Sequence, residues 1–317
     1  MKADVIALGE LLIDFATERT ENGYPVMAAH PGGAPANFLA AVNAAGLSAA
    51  MLGKVGDDTF GKLLTGTLRE AGIGTEGIRV DPSVFTTLAF VTLDAEGDRS
   101  FAFARKPGAD TCLKAEELDT EAIDACRAFH FGTLSLTDEP ARTATMTAVA
   151  RAKEGGKLIS FDPNLREVLW DDLARAKEAM LWGLERADIV KISDYEVEFL
   201  FGLSPEAGAE HILRTFGNRL VFVTCGAEGC IVCNRNARCC VPAYKAGKVV
   251  DTTGAGDIFG GSALAKVLQT GKAPEDLGEE ELTAVATYAA AAAGLSVLRS
   301  GGISSVPKGE EVAAVLR

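Results

Sequence analysis

The stretch Asp251-Thr252-Thr253-Gly254-Ala255-Gly256-Asp257, running into Ile258-Phe259-Gly260-Gly261-Ser262-Ala263-Leu264, decides how the rest of this chain is read. An apolar pair, Val249-Val250, precedes it, and the run that follows has helical character. Small residues at 254 to 256 let backbone N–H groups turn outward where the helix begins. Those amides and the helix dipole together make a hole for an anion. Asp257 falls in the first turn, beside the anion, where a carboxylate can accept a proton from a hydroxyl attacking a phosphate. The same residues equally suit a tight turn followed by a helix with an acid at its positive end. Two better-known phosphate loops are excluded: no GxxxxGK[ST] occurs, and the third glycine, Gly260, comes one place late for GxGxxG.

Upstream of this junction, short apolar runs alternate with stretches of helical spacing. The runs are Val5 to Leu8, Ala50 to Leu52, Phe129 to Phe131, Leu158 to Phe161, Ile189-Val190 and Leu220 to Thr224, of a length that suits buried parallel strands. Between them, Asn37 to Ala45, Phe60 to Ala71, Ala141 to Glu154, Asp172 to Arg186 and Glu196 to Phe201 carry apolar residues three and four apart. This rhythm predicts an α/β fold around a central, mostly parallel sheet. Two stretches break it. Leu11 to Phe15 and Phe85 to Phe103 read as strands without helices, the second as a hairpin turning at Ala95-Glu96-Gly97-Asp98. Such strands predict a small separate sheet that lies over the carboxyl ends of the main strands as a lid. The expectation is one domain over 1–317, with lid strands from about 11–31 and 84–106.

The chain has 317 residues, 48% of them hydrophobic, which rules out wholesale disorder. A formal net charge of -13 argues against nucleic-acid or anionic-membrane partners. No apolar run approaches the roughly 20 residues of a membrane span. Asp4 interrupts any signal-peptide pattern, so a cytoplasmic protein with reduced thiols is expected. Seven cysteines include Cys230, Cys233, Cys239 and Cys240. Zinc is one reading of these four, but the adjacent pair suits chelation poorly, and Gly229 to Val241 reads as a hairpin turning at Asn234-Arg235-Asn236 with small buried cysteines.

A second motif lies near the N-terminus: Pro31-Gly32-Gly33-Ala34-Pro35-Ala36-Asn37. Paired glycines let a ligand approach the backbone, and Asn37 projects an amide from the start of a helix. It also reads as an ordinary loop-to-helix junction. Taken together, the two motifs carry a family resemblance. Gly32 to Asn37, on through Gly46, resembles the N-terminal signature of the ribokinase-like (PfkB) carbohydrate kinases. Asp251 to Asp257, on through Gly261, resembles their C-terminal signature. The resemblance spans essentially the whole chain and implies a ribokinase-like three-layer sandwich with a β-sheet lid. Within the family the pattern is most similar to fructokinase, on Gly9-Glu10-Leu11-Leu12-Ile13-Asp14-Phe15, Arg105-Lys106-Pro107-Gly108-Ala109-Asp110, Phe161-Asp162-Pro163-Asn164-Leu165-Arg166 and Leu169-Trp170.

The resemblance implies an ATP-dependent sugar kinase acting on a primary hydroxyl of a ketose, D-fructose first. A relative acting on 2-keto-3-deoxygluconate or ribose is a second reading, and a sugar-binding regulatory protein without catalysis a third. It implies Asp257 as general base, with Gly254, Ala255 and Gly256 stabilising the transferring phosphoryl group. Asp14, Gly32, Gly33, Asn37 and Arg105 are then expected at the sugar. Asn164, Arg166, Lys191, Ser193, Thr224, Gly226 and Gly229 are expected at the nucleotide. Ser193 stands where ribokinases usually carry asparagine, and Glu196 is expected to reach Mg2+ through water. Asp251, Thr253, Ser296, Arg299, Gly301 and Ser305 fall where ribokinases hold K+, largely by backbone oxygens, although Arg299-Ser300-Gly301-Gly302 departs from the usual wording. Sugar and ATP are the expected partners, and an exposed lid sheet leaves room for a homodimer. The three histidines share no metal spacing, and His130, inside an apolar run, reads as a core residue.

Overall fold

The computed structural model describes every residue except Met1, Gly23 and 94–98, so the expected turn at Ala95-Glu96-Gly97-Asp98 lies outside the described residues. In chain order the first elements are β1 (Val5–Leu8), β2 (Leu12–Glu21), β3 (Tyr24–Gly32), α1 (Ala34–Ala44), β4 (Ala49–Gly56), α2 (Thr59–Glu70), β5 (Ile78–Asp81), β6 (Thr87–Leu93) and β7 (Arg99–Ala104). Then come α3 (Thr120–Ala125), β8 (Ala128–Gly132), α4 (Ala141–Glu154), β9 (Leu158–Asp162), α5 (Leu173–Leu184), β10 (Ile189–Ser193), α6 (Asp194–Phe201) and α7 (Pro205–Phe216). The last are β11 (Leu220–Thr224), β12 (Cys230–Cys233), β13 (Arg238–Val241), α8 (Ala255–Thr270), α9 (Glu279–Ser296) and α10 (Gly309–Val315).

Nine strands form the main sheet, in the order β13-β12-β11-β10-β9-β8-β1-β4-β5. Every pairing from β11 to β5 is parallel, and the β12–β13 hairpin closes one edge antiparallel. Strand β1 shows why the runs carry no polar alternation. Ile6 and Leu8 enter one apolar cluster, with α4, α5 and α7, while Val5 and Ala7 enter another, with α1, α8 and α9. A strand covered by helices on both faces must be apolar at every position. This is a three-layer α/β sandwich: the alternation of runs predicts its mostly parallel sheet, and the family resemblance implies the layers.

Four strands form the second sheet, in the order β3-β2-β6-β7. β2 pairs with β3 antiparallel and with β6 parallel, which sets Asp14 opposite His30 on one side and Ala89 on the other. β2 runs further than the expected Leu11 to Phe15. Its outer half, from Ala16 to Glu21, is polar and lacks the apolar signal that marks a buried strand. β5 is a short, half-exposed edge strand that the apolar pattern does not reveal. The cysteine-rich segment is the expected hairpin, with Val232 opposite Cys239 and Ile231 opposite Cys240. All seven thiols are free, and burial pushes those of Cys230 and Cys233 up to about 12. His130 is buried, stacked on Phe38 at 3.6 Å, and burial lowers its pKa to about 3.

Candidate active site

From β1 the strand order proceeds toward one edge through β4 to β5, and from β8 onward it proceeds toward the other edge, all of these strands through β11 pointing the same way. Ligands in such sheets bind at the carboxyl ends beside the point of reversal. A cavity of about 470 Å³ opens there between the two sheets. Its floor is the start of α8. Gly254 caps that helix with φ 76°, a left-handed conformation that favours glycine. The Ala255 N–H donates to the Thr252 carbonyl at 3.3 Å. The next first-turn amides, of Gly256 and Asp257, have no intrahelical acceptor and are the ones left for an anion.

Asp257 is joined to the N-terminal motif directly. Asn37, in the first turn of α1, donates from Nδ2 to Asp257 Oδ2 at 2.9 Å, across 220 residues of chain. A Cβ on Gly254 would stand 3.1 Å from Asn37 Nδ2, and one on Gly261 would strike the Phe38 carbonyl. The small residues therefore bring α1 and α8 together as well as shaping the turn. Asn37 Oδ1 is buried without a partner beside Gly302. Burial raises the Asp257 pKa, while the Asn37 hydrogen bond and the Lys191 and Arg166 charges pull it back.

Lys191 brings a positive charge to this floor. Its Nζ lies 3.0 Å from Asp162 Oδ2, and a Cβ on Gly256 would stand 2.9 Å from it. Burial opposes the ammonium charge, but Asp162, Glu196 and Asp257 outweigh it and hold the pKa above the ordinary value. Asp162 is outside the expected set. Its place at the end of β9, just before the quoted Pro163-Asn164, is the signal that marks it. Glu10, two residues after the end of β1, is a second omission. It is buried, its Oε1 accepts the Ala34 N–H at 2.8 Å, and burial lifts its pKa to about 7.

The lid supplies Asp14 from β2. Burial raises its pKa to about 7; Arg166 works against that rise, and Asp257 and Asp251 add to it. Gly32 does not line the cavity; a Cβ there would collide with the Asp14 carboxylate, so it makes room for that group. Gly33 lines the cavity and caps α1 at φ 114°. From the nucleotide set, Asn164, Arg166, Lys191, Ser193, Thr224 and Gly226 all line it, as do Gly254, Gly256 and Asp257. Asn164 holds φ 48° there, with its N–H on Asp162 Oδ1 at 3.2 Å.

Several expectations need correction. Arg105 does not face this cavity. Its guanidinium is buried against Asp110 at 2.7 Å and donates to Thr137 Oγ1 and the Leu134 carbonyl. Gly229 belongs to the hairpin, where φ 110° and the nearby Val241 carbonyl demand glycine, and it is not in the cleft. Glu196 lines the cavity, but its carboxylate already accepts from Leu165 N, Ser193 N and Ser193 Oγ in a capping box on α6. A carboxylate has about four lone-pair sites, so room remains for one further donor or ligand.

The residues expected around K+ form a clip between loops. Asp251 Oδ1 accepts from Thr253 N and Oγ1, and Asp251 Oδ2 from Gly301 N at 3.0 Å. The Ser296 and Ser305 hydroxyls donate to the carbonyls of Ala293 and Gly302, and Arg299 pairs with Glu311. Among the described residues no three His, Cys, Asp or Glu side chains gather as a metal site. No helix among them is long and apolar enough to cross a membrane.

Comparison with known proteins adds to this geometry. Residues 2–309 match the pfkB family carbohydrate kinase profile. Fructokinase-1 of Zea mays is 41% identical over 314 residues, covering 97% of this chain and 96% of its own length. The structure of a fructokinase with bound ATP from Xylella fastidiosa superposes with a TM-score of 0.90 at 30% identity, covering 99% of this chain and 98% of that one. A fructokinase from Vibrio cholerae O395, solved in a fructose-, ADP- and calcium-bound form, gives 0.87 at 30% identity, covering 99% of each chain.

Proposed function

The chain belongs to the pfkB family of carbohydrate kinases, and from that membership we propose that it transfers the γ-phosphoryl group of ATP to the primary hydroxyl of D-fructose, giving fructose 6-phosphate. The observation that carries the reading is the contact between Asn37 and Asp257 at the positive end of α8. The bond joins the Asn37 amide to the buried Asp257 carboxylate at the first-turn amides of α8, which supports reading the three as sugar contact, base and anion hole.

In this reading Asp257 accepts the proton of the attacking hydroxyl. The Gly256 and Asp257 amides and the Lys191 ammonium receive the charge that develops on the phosphoryl oxygens. Asp14 and the Asn37 amide meet the sugar hydroxyls, and Asn37 Nδ2 keeps Asp257 aimed. Asn164, Arg166, Thr224 and Gly226 lie along the same cavity for the nucleotide. A divalent cation, when bound, neutralises phosphate charge. Its protein contact is Glu196, whose carboxylate has one site left and so suits a water-mediated contact better than direct ligation. The clip at Asp251 and Gly301 abuts the anion hole, and K+ held by backbone oxygens there would steady it. The lid excludes water, which would otherwise compete as acceptor.

Fructose is favoured over an acidic sugar because Arg105 is committed to Asp110 outside the cleft. That leaves Arg166 as the cleft guanidinium, shared with Asp14 and Asp257. A coupled ADP-release assay over fructose, ribose, 2-keto-3-deoxygluconate, tagatose and nucleosides, with and without K+, tests the assignment. The highest kcat/KM is expected with fructose, and greater activity with K+. A higher kcat/KM with 2-keto-3-deoxygluconate overturns the choice of sugar.

A further inference from the structure

The segment Arg105-Lys106-Pro107-Gly108-Ala109-Asp110 joins the lid to the body, and its two ends meet. Arg105, just past the end of β7, donates from Nε to Asp110 Oδ2 at 2.8 Å, and its Nη2 lies 2.7 Å from the same oxygen. The side chains are 3% and 2% exposed. The other carboxylate oxygen, Asp110 Oδ1, accepts from the hydroxyl of Thr87, the first residue of β6. One carboxylate thus holds both strands of the lid hairpin at the points where they leave the body. Arg105 carries the link onward, to Thr137 Oγ1 at 2.9 Å and to the carbonyl of Leu134 at 2.8 Å, and Leu134 lines the cleft.

Neighbouring bonds reinforce the same hinge. Ala109 N donates to the Phe85 carbonyl at 2.9 Å, and Thr86 N to Asp58 Oδ2 at 2.8 Å. Gly108 has no room for a Cβ, which would overlap the Thr87 hydroxyl and crowd Asp110. From this hinge the register runs to the sugar site. β6 pairs in parallel with β2, Leu12 opposite Thr87 and Asp14 opposite Ala89. Asp14 therefore sits two register steps along a ladder whose first rung is pinned by Asp110.

We propose that the buried Arg105–Asp110 pair, with Thr87, is a positioning device for the sugar: it fixes where β6 and β7 leave the body and so sets Asp14 over Asp257. Neither Arg105 nor Asp110 lines the cleft. The nucleotide-side groups, Lys191, Thr224 and the start of α8, lie on the main sheet and its helices and do not depend on the hinge. The sugar named in the test rests on the fructokinase reading above, but the inference concerns whichever sugar the enzyme turns over.

The test compares KM for fructose and for ATP in Asp110→Asn and in the double variant Arg105→Met/Asp110→Leu, with a thermal melt to establish that each is folded. The double variant removes both charges together and so leaves none buried alone. The expected result is a rise in fructose KM of about tenfold or more, the scale of loss that misplaced binding groups give, with ATP KM within about twofold of wild type. A folded variant with the wild-type fructose KM overturns the proposal, and so does an equal rise in both constants. If neither variant folds, Thr87→Val, which removes only the hydroxyl that Asp110 accepts, must show the same split in smaller measure, and an unsplit response overturns the proposal. Wild-type protein that prefers another sugar contradicts the substrate assignment alone, and the split is then read on that sugar.

Discussion

Three carboxyl groups in the cleft, Glu10, Asp14 and Asp257, are pushed above their ordinary values by burial. For Asp14 the consequence has a definite sign. Between its ordinary value of 3.8 and about 7, the folded protein binds more protons than the unfolded chain. Stability therefore falls as pH rises through that window and is level above it. Asp14→Asn removes the loss, so its melting temperature at pH 8 should exceed that of wild type, while its fructose KM rises. A melting temperature at or below wild type at pH 8 contradicts the burial argument. The same scale shows where reading from sequence stops. Asp14 and Asn37 were legible through the family resemblance of their motifs, not from the residues alone, since the Asn37 motif by itself also suits an ordinary loop-to-helix junction. Arg105 was misread because a guanidinium at the end of a lid strand suits the cleft equally well. Its partner, five residues further along the chain, is an ordinary loop acid until the loop folds back. Glu10 was passed over because nothing in the sequence tells a strand-end glutamate facing a cleft from one facing water.

At the scale of elements, the start of α8 combines two demands on one residue. Gly254 must adopt φ 76° and must also leave 3.1 Å between its Cβ position and Asn37. Gly254→Ala should therefore strain the cap by about 1–3 kcal/mol and move Asn37 away from Asp257. Steady-state kinetics should show kcat falling by about tenfold or more, the scale at which reacting groups lose alignment. Gly256→Ala meets only the far end of the flexible Lys191 chain, and its kcat should fall less; the reverse order contradicts the packing argument. The junction itself was legible as a phosphate cradle or as a capped helix, with no local feature to separate them. What favours the cradle is a residue 220 positions away, through the Asn37–Asp257 bond. Local sequence pattern carries no information about such a contact. The strands of the main sheet were legible for the opposite reason: burial on both faces writes an unbroken apolar run.

For the whole molecule, the alternation of runs and helical spacing implies a parallel α/β sheet but not its order. That β1 lies between β8 and β4, and that the cleft opens beside it, follows from chain packing. The parallel pairing of β2 with β6 is likewise invisible in a sequence, since the two strands are separated by β3, α1, β4, α2 and β5. If this second sheet closes over the sugar, small-angle scattering should show a smaller radius of gyration when fructose and a non-hydrolysable ATP analogue are added together. An unchanged radius contradicts the lid.

In the proposed reaction Asp257, held by Asn37 at the positive end of α8, is the base of a phosphoryl transfer to a sugar. The most direct measurement is fructose-dependent ADP release by Asp257→Asn, taken beside calorimetric titration of fructose into the same protein. The kcat should fall by about 10²–10⁴, the usual contribution of a positioned base, with fructose affinity close to that of wild type. A variant that keeps the wild-type kcat contradicts this role for Asp257.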